Sequence, residues 1–283
     1  MRGRPIVLVL IGIGSVQFGA AFAKSLFDEA SPSAITWLRL LTSSLILVAA
    51  VRPRLRRSRQ DWALAGAFGV ALGLMNWLIY QSFARIPLGI AVTLEFVGPL
   101  LLAIGTSKRR RDLVWVALAG LGVLLLGAGR GHLTVVGVAA ALGAGAAWAA
   151  YIVLSARTGR AWPGLDGLAI ASCVACLVVT PMAAVEPHGL DRPHVWWTGL
   201  AVGVLSSVIP YSCELVALRS LSPSVFGVLM SLEPAAAALA GLIVVHETLS
   251  VVQWVALACV ISASAGMPRN SWPSDHDVSG EQA

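Results

Sequence analysis

Charge is scarce in this chain of 283 residues, since only 12% of them are Asp, Glu, Lys or Arg. Soluble globular proteins carry about a quarter charged residues, so this chain has too few charges to cover a surface that faces water. Hydrophobic residues make up 57% of the sequence, and its mean hydropathy is +0.81. This composition disfavours a soluble enzyme, a secreted disulfide scaffold and a disordered chain, and it favours several membrane-spanning helices of ~20 residues each.

The residue types that most often hold metals are also sparse. Four cysteines lie inside apolar runs, where a free thiol behaves as a small hydrophobic group, and the C-x-x-C pair of Cys173 and Cys176 has no second ligand pair beside it. The five histidines lie in connections or in the tail, and the sequence contains neither an H-E-x-x-H motif nor a glycine-rich phosphate loop with a lysine. We therefore predict that the protein is not an enzyme and that it binds no metal and no cofactor.

Apolar segments of near-membrane length recur along the chain and are separated by short connections. They predict an all-α integral membrane protein with ten transmembrane helices, at approximately 6–26, 33–51, 62–84, 88–106, 113–128, 134–155, 166–185, 195–218, 224–245 and 251–267. The first segment follows two arginines and resembles a secretory signal. We interpret it as the first membrane helix, because its removal would put the basic connections described next out of register.

The basic residues are distributed unequally between alternate connections. Fifteen of the 20 Lys and Arg residues fall on one side of the predicted membrane, including the run in 52–59, whereas four fall on the other side and Arg39 lies within a segment. Basic connections tend to stay in the cytoplasm, so we predict a multi-pass inner-membrane protein with both termini cytoplasmic. The net charge of +6 is then a topological signal and does not indicate nucleic-acid binding.

The two halves of the chain resemble each other. LEFVGPLLLAIG precedes Trp-Val-Ala-Leu at 115–118, and SLEPAAAALAG precedes the same four residues at 254–257. Each half holds five segments, an odd number, so the second half must enter the membrane inverted relative to the first, and transporters of this type place their site near the midplane between the repeats. We expect a first repeat at 1–128, a second repeat at 134–267 and a disordered cytoplasmic tail at 268–283.

Ionisable residues within membrane segments cost about 2.5–3.5 kcal/mol each on insertion scales, which makes them functional candidates. The chain has four of them, Arg39, Glu95, Glu214 and Glu233, and two of the glutamates, Glu95 and Glu233, occupy matching places in the two halves. A glutamate that alternates between water and a cation is a candidate proton carrier, and the residues alone do not select one of the three. The alternative is that Arg39 neutralises one glutamate as a structural ion pair.

A proline stands within four residues of each glutamate, and these prolines are Pro99, Pro210 and Pro234. Pro99 cannot donate a hydrogen bond to the Glu95 carbonyl group, which is left for a ligand, water or a neighbour. Polar backbone beside a carboxylate is typical of a cation or ammonium site in a broken helix. The alternative is that the prolines only bend helices for packing.

Four neutral side chains within the segments are further candidates for contact with a polar substrate: Asn76, Trp148, Tyr151 and Tyr211. Tyr and Trp in a membrane helix more often pack or anchor it at the interface. Helix-to-helix hydrogen bonding explains Asn76 as well as a substrate does.

Several long stretches resemble a known family: GAAFAKSLF (19–27), PLGIAVTLEFVGPL (87–100), ALGAGAAWAAYI (141–152), IPYSCELVAL (209–218) and GVLMSLEPA (227–235). Together with the two five-segment halves, they resemble the EamA-type members of the drug/metabolite transporter superfamily, and within it the threonine/homoserine exporters of the RhtA type. The resemblance extends to about residue 267. It implies ten helices in an inverted repeat and the export of small amino acids, driven by the proton gradient.

We therefore predict a secondary exporter of threonine-like or homoserine-like amino acids that works by proton antiport with alternating access in the lipid bilayer. On this hypothesis the substrate carboxylate binds Arg39 or Lys24, and its ammonium group binds Glu95, Glu233 or carbonyls freed by proline. The alternatives are an exporter or permease of another metabolite, such as an aromatic amino acid or a cationic drug, and, more distantly, an intramembrane enzyme, a passive channel or a structural subunit.

Overall fold

The described part of the chain is helical throughout. The computed structural model describes residues 4–106, 113–128, 133–210, 213, 217 and 223–266, and it contains no strand within these ranges. The helices are α1 Arg4–Ser25, α2 Pro32–Val51, α3 Arg59–Phe83, α4 Leu88–Glu95, α5 Val97–Thr106, α6 Leu113–Ala128, α7 Val135–Ala161, α8 Asp166–Val185, α9 Pro193–Gly203, α10 Pro223–Met230, α11 Glu233–Ala240 and α12 Val251–Gly266. A π-helical turn follows α9 at Val204–Val208, and another follows α11 at Gly241–Val245.

Six stretches of the described residues are long and apolar enough to cross a membrane: Pro5–Ser25, Pro32–Val51, Arg59–Phe83, Val135–Ala161, Asp166–Val185 and Val228–Val245. Shorter apolar helices cover Leu88–Leu102, Ala117–Leu126 and Val251–Gly266. Large apolar side chains stay exposed on several helices, as at Val135, Val185, Val251, Leu124 and Leu177. Such faces fit contact with lipid tails, and the predicted all-α membrane class is confirmed.

Polar side chains begin several of these helices. Ser31 caps α2 by accepting a hydrogen bond from the Ala34 N–H at 3.1 Å, and Thr134 caps α7 in the same way. Ser58 and Asp61 form a capping box at the start of α3, in which each side chain accepts from the backbone of the other residue. These caps satisfy N–H groups that have no partner within the helix, which is why each helix starts at these residues.

Two predicted segments are interrupted. The segment at 88–106 consists of α4 and α5, separated by Phe96, and the segment at 224–245 consists of α10 and α11, separated by a turn at Ser231 and Leu232. A proline follows each break and cannot complete the helical hydrogen bonds there. Both segments are helical on either side of a short irregular turn, which we call the break in each segment.

Packing between the halves follows a reciprocal pattern. Helix α2 packs on α8, and α6 packs on α12. Contacts of α3 with α7 and α8 are matched by contacts of α9 with α1 and α2. The contacts of α7 with α4 and α5 are matched by those of α1 with α10 and α11. A central apolar cluster joins the two halves and includes Leu38, Tyr80, Leu94, Ala237 and Leu257.

The ends of the bundle carry different side chains. At one end, the 52–59 connection packs against the start of α8, where the Arg54 N–H donates to Asp166 and the Arg57 guanidinium lies 5.6 Å from the centre of the Trp162 ring. Lys24, Arg85, Glu186 and Glu247 lie at helix ends near the opposite end, which we call the Lys24 end.

Candidate functional site

Two backbone carbonyl groups of the π-helical turn after α9 accept hydrogen bonds from the first half of the chain. Within this turn the Ile209 N–H bonds to the Val204 carbonyl, and Pro210 has no N–H to offer to the Ser206 carbonyl four residues earlier. The Leu205 carbonyl accepts from the Ser15 hydroxyl at 2.6 Å, and the Ser206 carbonyl accepts from Arg39 Nη2 at 3.3 Å. The local backbone irregularity is thus satisfied by α1 and α2, as buried polar groups require.

Arg39 is the cation at the centre of this arrangement. Its Nη1 donates to the Tyr80 hydroxyl at 3.4 Å, and its guanidinium lies 5.5 Å from the centre of the Tyr80 ring. Its Nε is buried without a hydrogen-bond partner, as are Gln17 Oε1 on α1 and the Ser206 hydroxyl. Buried polar atoms with unused capacity are rare in folded proteins, and these three keep hydrogen-bonding capacity for a water molecule or a polar ligand.

Glu95 is the carboxylate that interacts electrostatically with Arg39. It is half-buried at the end of α4, directly before the break at Phe96. The two side chains form no ion pair at contact distance among the pairs of the described residues. Arg39 and Glu95 therefore carry opposite charges within an apolar part of the bundle without a direct ion pair, and each is a functional candidate on that ground.

The Glu95 carbonyl group, which sequence analysis left for a ligand, water or a neighbour, faces a neighbouring helix. A Cβ atom on Gly145 of α7 would lie 2.5 Å from this carbonyl oxygen, and a Cβ atom on Gly98 would lie 1.9 Å from the Gly145 oxygen. Only glycine at both positions allows this approach of α5 to α7, a close contact typical of membrane helices. The break beside Glu95 is therefore closed by α7.

Glu233 occupies the corresponding break in the second half. It is the first residue of α11, directly after the turn at Ser231 and Leu232, and its side chain is half-buried. Pro234 follows it and is buried. Glu95 and Glu233 thus each stand beside an irregular turn in their segment.

Comparison with known proteins decides the family. The threonine/homoserine exporter RhtA of Escherichia coli (strain K12) is 45% identical over 267 residues, which are 93% of this chain and 90% of RhtA. The threonine/homoserine exporter RhtA of Salmonella typhimurium (strain LT2) is 44% identical over 267 residues, which are again 93% of this chain and 90% of that protein. A profile of the EamA-like transporter family matches residues 135–267. The chain belongs to the EamA-like transporter family.

More distant comparisons agree with this assignment. The uncharacterized transporter YwfM of Bacillus subtilis (strain 168) is 26% identical over 83% of each chain. A protein crystal structure at 20% identity matches this chain with a TM-score of 0.62, over 92% of this chain and 95% of its own, which shows that the fold is shared. The resemblance stated from the sequence is confirmed, and so is the prediction that this EamA-like protein is a transporter and not an enzyme.

Lys24 lies apart from Arg39 in this EamA-like transporter. Its Nζ lies 2.5 Å from Glu247 Oε1 and donates to the Ile86 carbonyl at 2.7 Å, and Glu247 Oε2 accepts from the Leu88 N–H at 2.7 Å. Lys24 is thus already paired with a carboxylate. Sequence analysis missed Glu247 because this residue stands in a polar stretch outside the apolar segments. The only signal in the sequence for its pairing with Lys24 is its position on the side of the predicted membrane that has few basic residues.

The neutral candidates have partners of their own. Asn76 is buried and donates from Nδ2 to the Leu72 carbonyl of its own helix at 2.9 Å. Trp148 packs edge-on against Phe96, with ring centres 4.9 Å apart, beside the break in the α4–α5 segment. The Tyr151 ring lies 5.1 Å from that of Phe68. Trp148 thus packs against the residue that directly follows Glu95.

Two further candidates, Tyr211 and Glu214, lie outside the described residues. Sequence analysis did not select Tyr80 and Ser206, which accept hydrogen bonds from Arg39, or Ser15, which donates to the Leu205 carbonyl group of the same turn. Tyr80 and Ser206 are ordinary residues of apolar segments. Their part in the site depends on the π-helical turn, which no local sequence signal apart from Pro210 indicates.

Proposed function

We propose that this transporter exports small hydroxylated amino acids, with threonine and homoserine as its substrates. The observation that carries the proposal is the 45% identity to a threonine/homoserine exporter over 93% of the chain. The Arg39 site supports it, because a zwitterionic substrate needs one fixed cation and one fixed carboxylate in surroundings that are otherwise apolar.

The proposed architecture has ten transmembrane helices in two inverted repeats, at 1–128 and 134–267, followed by a cytoplasmic tail at 268–283. The α4–α5 and α10–α11 pairs each count as one broken transmembrane helix. The reciprocal packing between the halves supports this arrangement, since an inverted repeat pairs each helix contact with its counterpart. The unequal distribution of basic residues supports cytoplasmic termini and puts the Lys24 end outside.

Proton antiport with alternating access is the proposed mechanism. The substrate carboxylate binds the Arg39 guanidinium, and its ammonium group competes with a proton for Glu95 or Glu233. Each carboxylate lies beside a break in its helix. When the two repeats rock about the midplane, the glutamate exchanges its amino acid for a proton on the outer side and releases that proton inside.

Transport in inverted membrane vesicles tests the proposal. The wild type is expected to accumulate threonine when a proton gradient is imposed. Glu95→Gln and Glu233→Gln are assayed both for driven accumulation and for threonine exchange without a gradient. A glutamine mimics the protonated carboxylate, so the variant at the proton-carrying position is expected to lose driven accumulation and to keep exchange.

Glu29→Gln serves as the matched control, since Glu29 is exposed near the end of α1 and pairs with His194 and Arg192. It should transport like the wild type. If both central variants accumulate threonine as the wild type does, the carboxylate mechanism is wrong. If the wild type accumulates neither threonine nor homoserine, the proposed substrates are wrong.

A further inference from the structure

A pocket of about 610 Å³ that carries charged side chains opens at the Lys24 end, away from Arg39. It lies between the start of α2, the end of α3 and the segment after α8, and the residues that matter for its chemistry are Ser31, Gln81, Ala84, Arg85, Glu186 and His188. One wall therefore carries a guanidinium group, and another carries a carboxylate. Pockets of this size hold ligands as large as an amino acid with room to spare.

The two charged groups are held in place but are not paired with each other. Arg85 Nη1 donates to the Gln81 backbone carbonyl at 2.6 Å and to Gln81 Oε1 at 2.8 Å. Gln81 Nε2 donates to the Ser33 hydroxyl at 3.1 Å, and that hydroxyl donates to Glu186 Oε2 at 2.9 Å. Among the described residues, Arg85 and Glu186 form no ion pair with any side chain.

Buried side chains maintain this separation. Ser33 is 1% exposed and Gln81 is 8% exposed, and the Ser33 hydroxyl also accepts from Trp77 Nε1 at 3.0 Å, which uses its full hydrogen-bonding capacity. The segment that carries Glu186 is fixed to α2, because the Ser31 hydroxyl donates to the Glu186 carbonyl and the Ser31 N–H donates to the His188 carbonyl. These bonds fix Gln81, Ser33 and the Glu186 backbone between the two charged groups.

Each charged group keeps unused hydrogen-bonding atoms. Arg85 makes both of its bonds through Nη1, so Nε and Nη2 remain as donors, and Glu186 accepts through Oε2, so Oε1 remains as an acceptor. A fixed guanidinium and a fixed carboxylate on one pocket match the carboxylate and ammonium groups of an α-amino acid, each through a charge-assisted hydrogen bond.

We propose that this pocket is a second amino-acid site, in which Arg85 binds the α-carboxylate and Glu186 binds the α-ammonium group of the zwitterion. The inference rests on the proposed function for the identity of the amino acid and for the outward position of the Lys24 end. The pocket then holds the exported amino acid after it leaves the Arg39 site. Because Ile86, next to Arg85, accepts from Lys24, the pocket adjoins the ion pair of Lys24 and Glu247.

Protection of an engineered cysteine tests the site from outside the cell. Ala84 lines the pocket and is exposed, so Ala84→Cys is labelled with a membrane-impermeant maleimide in right-side-out vesicles. The matched control is Ser25→Cys, which is exposed near the same end and does not line the pocket. The chain without an added cysteine gives the background from the native thiols.

Three probes separate the two charges: L-threonine, L-threoninamide, which lacks the carboxylate, and N-acetyl-L-threonine, which lacks the ammonium group. L-threonine is expected to protect Ala84→Cys at a concentration about tenfold lower than either analogue, and to leave Ser25→Cys unprotected. Adding Arg85→Gln should bring threonine and threoninamide to equal potency, and adding Glu186→Gln should do the same for threonine and N-acetylthreonine. A structural role for these residues would not produce two different losses of discrimination.

Equal protection by the three probes, or discrimination that survives both substitutions, overturns the site. Arg85→Lys, which keeps the charge, is expected to retain most of the discrimination, and Arg85→Met replaces Arg85→Gln if that chain does not reach the membrane. Threonine export is measured in the same cells. Export without protection of Ala84→Cys overturns the second site alone, whereas protection without export overturns the proposed function and leaves an external amino-acid site.

Discussion

Arg39 joins the two halves of the transporter through single hydrogen bonds to each. Its Nη1 reaches the Tyr80 hydroxyl on α3, and its Nη2 reaches the Ser206 carbonyl in the second half. Both distances exceed 3.2 Å, so these bonds are long for a charged donor. A substrate carboxylate that approaches the guanidinium can therefore replace them at little cost.

Removal of the Arg39 charge is expected to abolish substrate binding while the protein still folds. Arg39→Met should lower threonine transport about 100-fold, because a charge-assisted hydrogen bond to a carboxylate contributes about 1.5–3 kcal/mol and two of them are lost. Arg39→Lys keeps the charge but lacks the planar fork, and it should lower transport about tenfold, mainly through KM.

Tyr80→Phe is the control for this prediction, since it removes one neutral partner of Arg39 and keeps the ring beneath the guanidinium. It should change transport less than threefold. The measurement is the initial rate of threonine exchange in proteoliposomes at equal amounts of protein. Wild-type rates in Arg39→Met would show that the substrate carboxylate binds elsewhere.

At the scale of the element, the π-helical turn after α9 depends on Pro210. This residue withholds an N–H from the Ser206 carbonyl, and Arg39 donates to that carbonyl instead. Pro210→Ala supplies the missing donor, so the turn is expected to relax towards an α-helix and to release Arg39. Threonine transport should fall about tenfold while the amount of protein in the membrane stays the same.

Pro181→Ala is the matched control, because Pro181 also lies inside a helix, α8, whereas Arg39 bonds to Tyr80 on α3 and to Ser206 in the π-helical turn. It should transport threonine at the wild-type rate. An equal loss in both variants would point to general helix stability, and full activity in Pro210→Ala would contradict the role of the released carbonyl.

The positions of the helices could be predicted from sequence patterns, but their internal irregularities could be predicted only in part. Hydropathy and the asymmetry of basic residues predicted where the apolar helices lie, because burial in lipid depends on composition averaged over a whole segment. The breaks at Phe96 and at Ser231 leave that average unchanged, and only the nearby prolines indicated them. The π-helical turn was not predicted, since its hydrogen-bond shift depends on partners on α1 and α2.

The site itself could be predicted only in part, because many of its side chains bond to partners that are far away in the sequence. Arg39, Glu95 and Glu233 were recognisable because a charge in an apolar segment is unusual. The pairing of Lys24 with Glu247 and the chain of hydrogen bonds from Arg85 to Glu186 join residues that are far apart in sequence and stand in polar connections. In such connections a charge is ordinary, so composition gives no signal until the fold brings the partners together.

For the whole molecule, the ion pair of Lys24 and Glu247 closes the Lys24 end. It holds the end of α1, the start of α4 and the connection after α11 together, and thus links the two proposed repeats. The two side chains are only 14% and 16% exposed, so neither charge is well solvated without the other. On the proposed alternating-access mechanism this end opens when substrate leaves, and the pair then separates.

Breaking this pair is expected to shift the transporter towards a form that is open at the Lys24 end. In Lys24→Met and Glu247→Gln, the outward-open population should rise about tenfold, since a partly buried pair contributes on the order of 1–3 kcal/mol to the closed form. The reporter is Ala238→Cys, which is buried on α11 against Gly89 of α4, and the measurement is its rate of labelling by an impermeant maleimide added outside.

Arg192→Met is the control, because it breaks a pair with Glu29 in which both side chains are over 40% exposed. With this substitution, the labelling rate of Ala238→Cys should equal that in the parent chain. Unchanged labelling in both Lys24→Met and Glu247→Gln would show that the pair does not control opening, and slower labelling would show that it holds the end open.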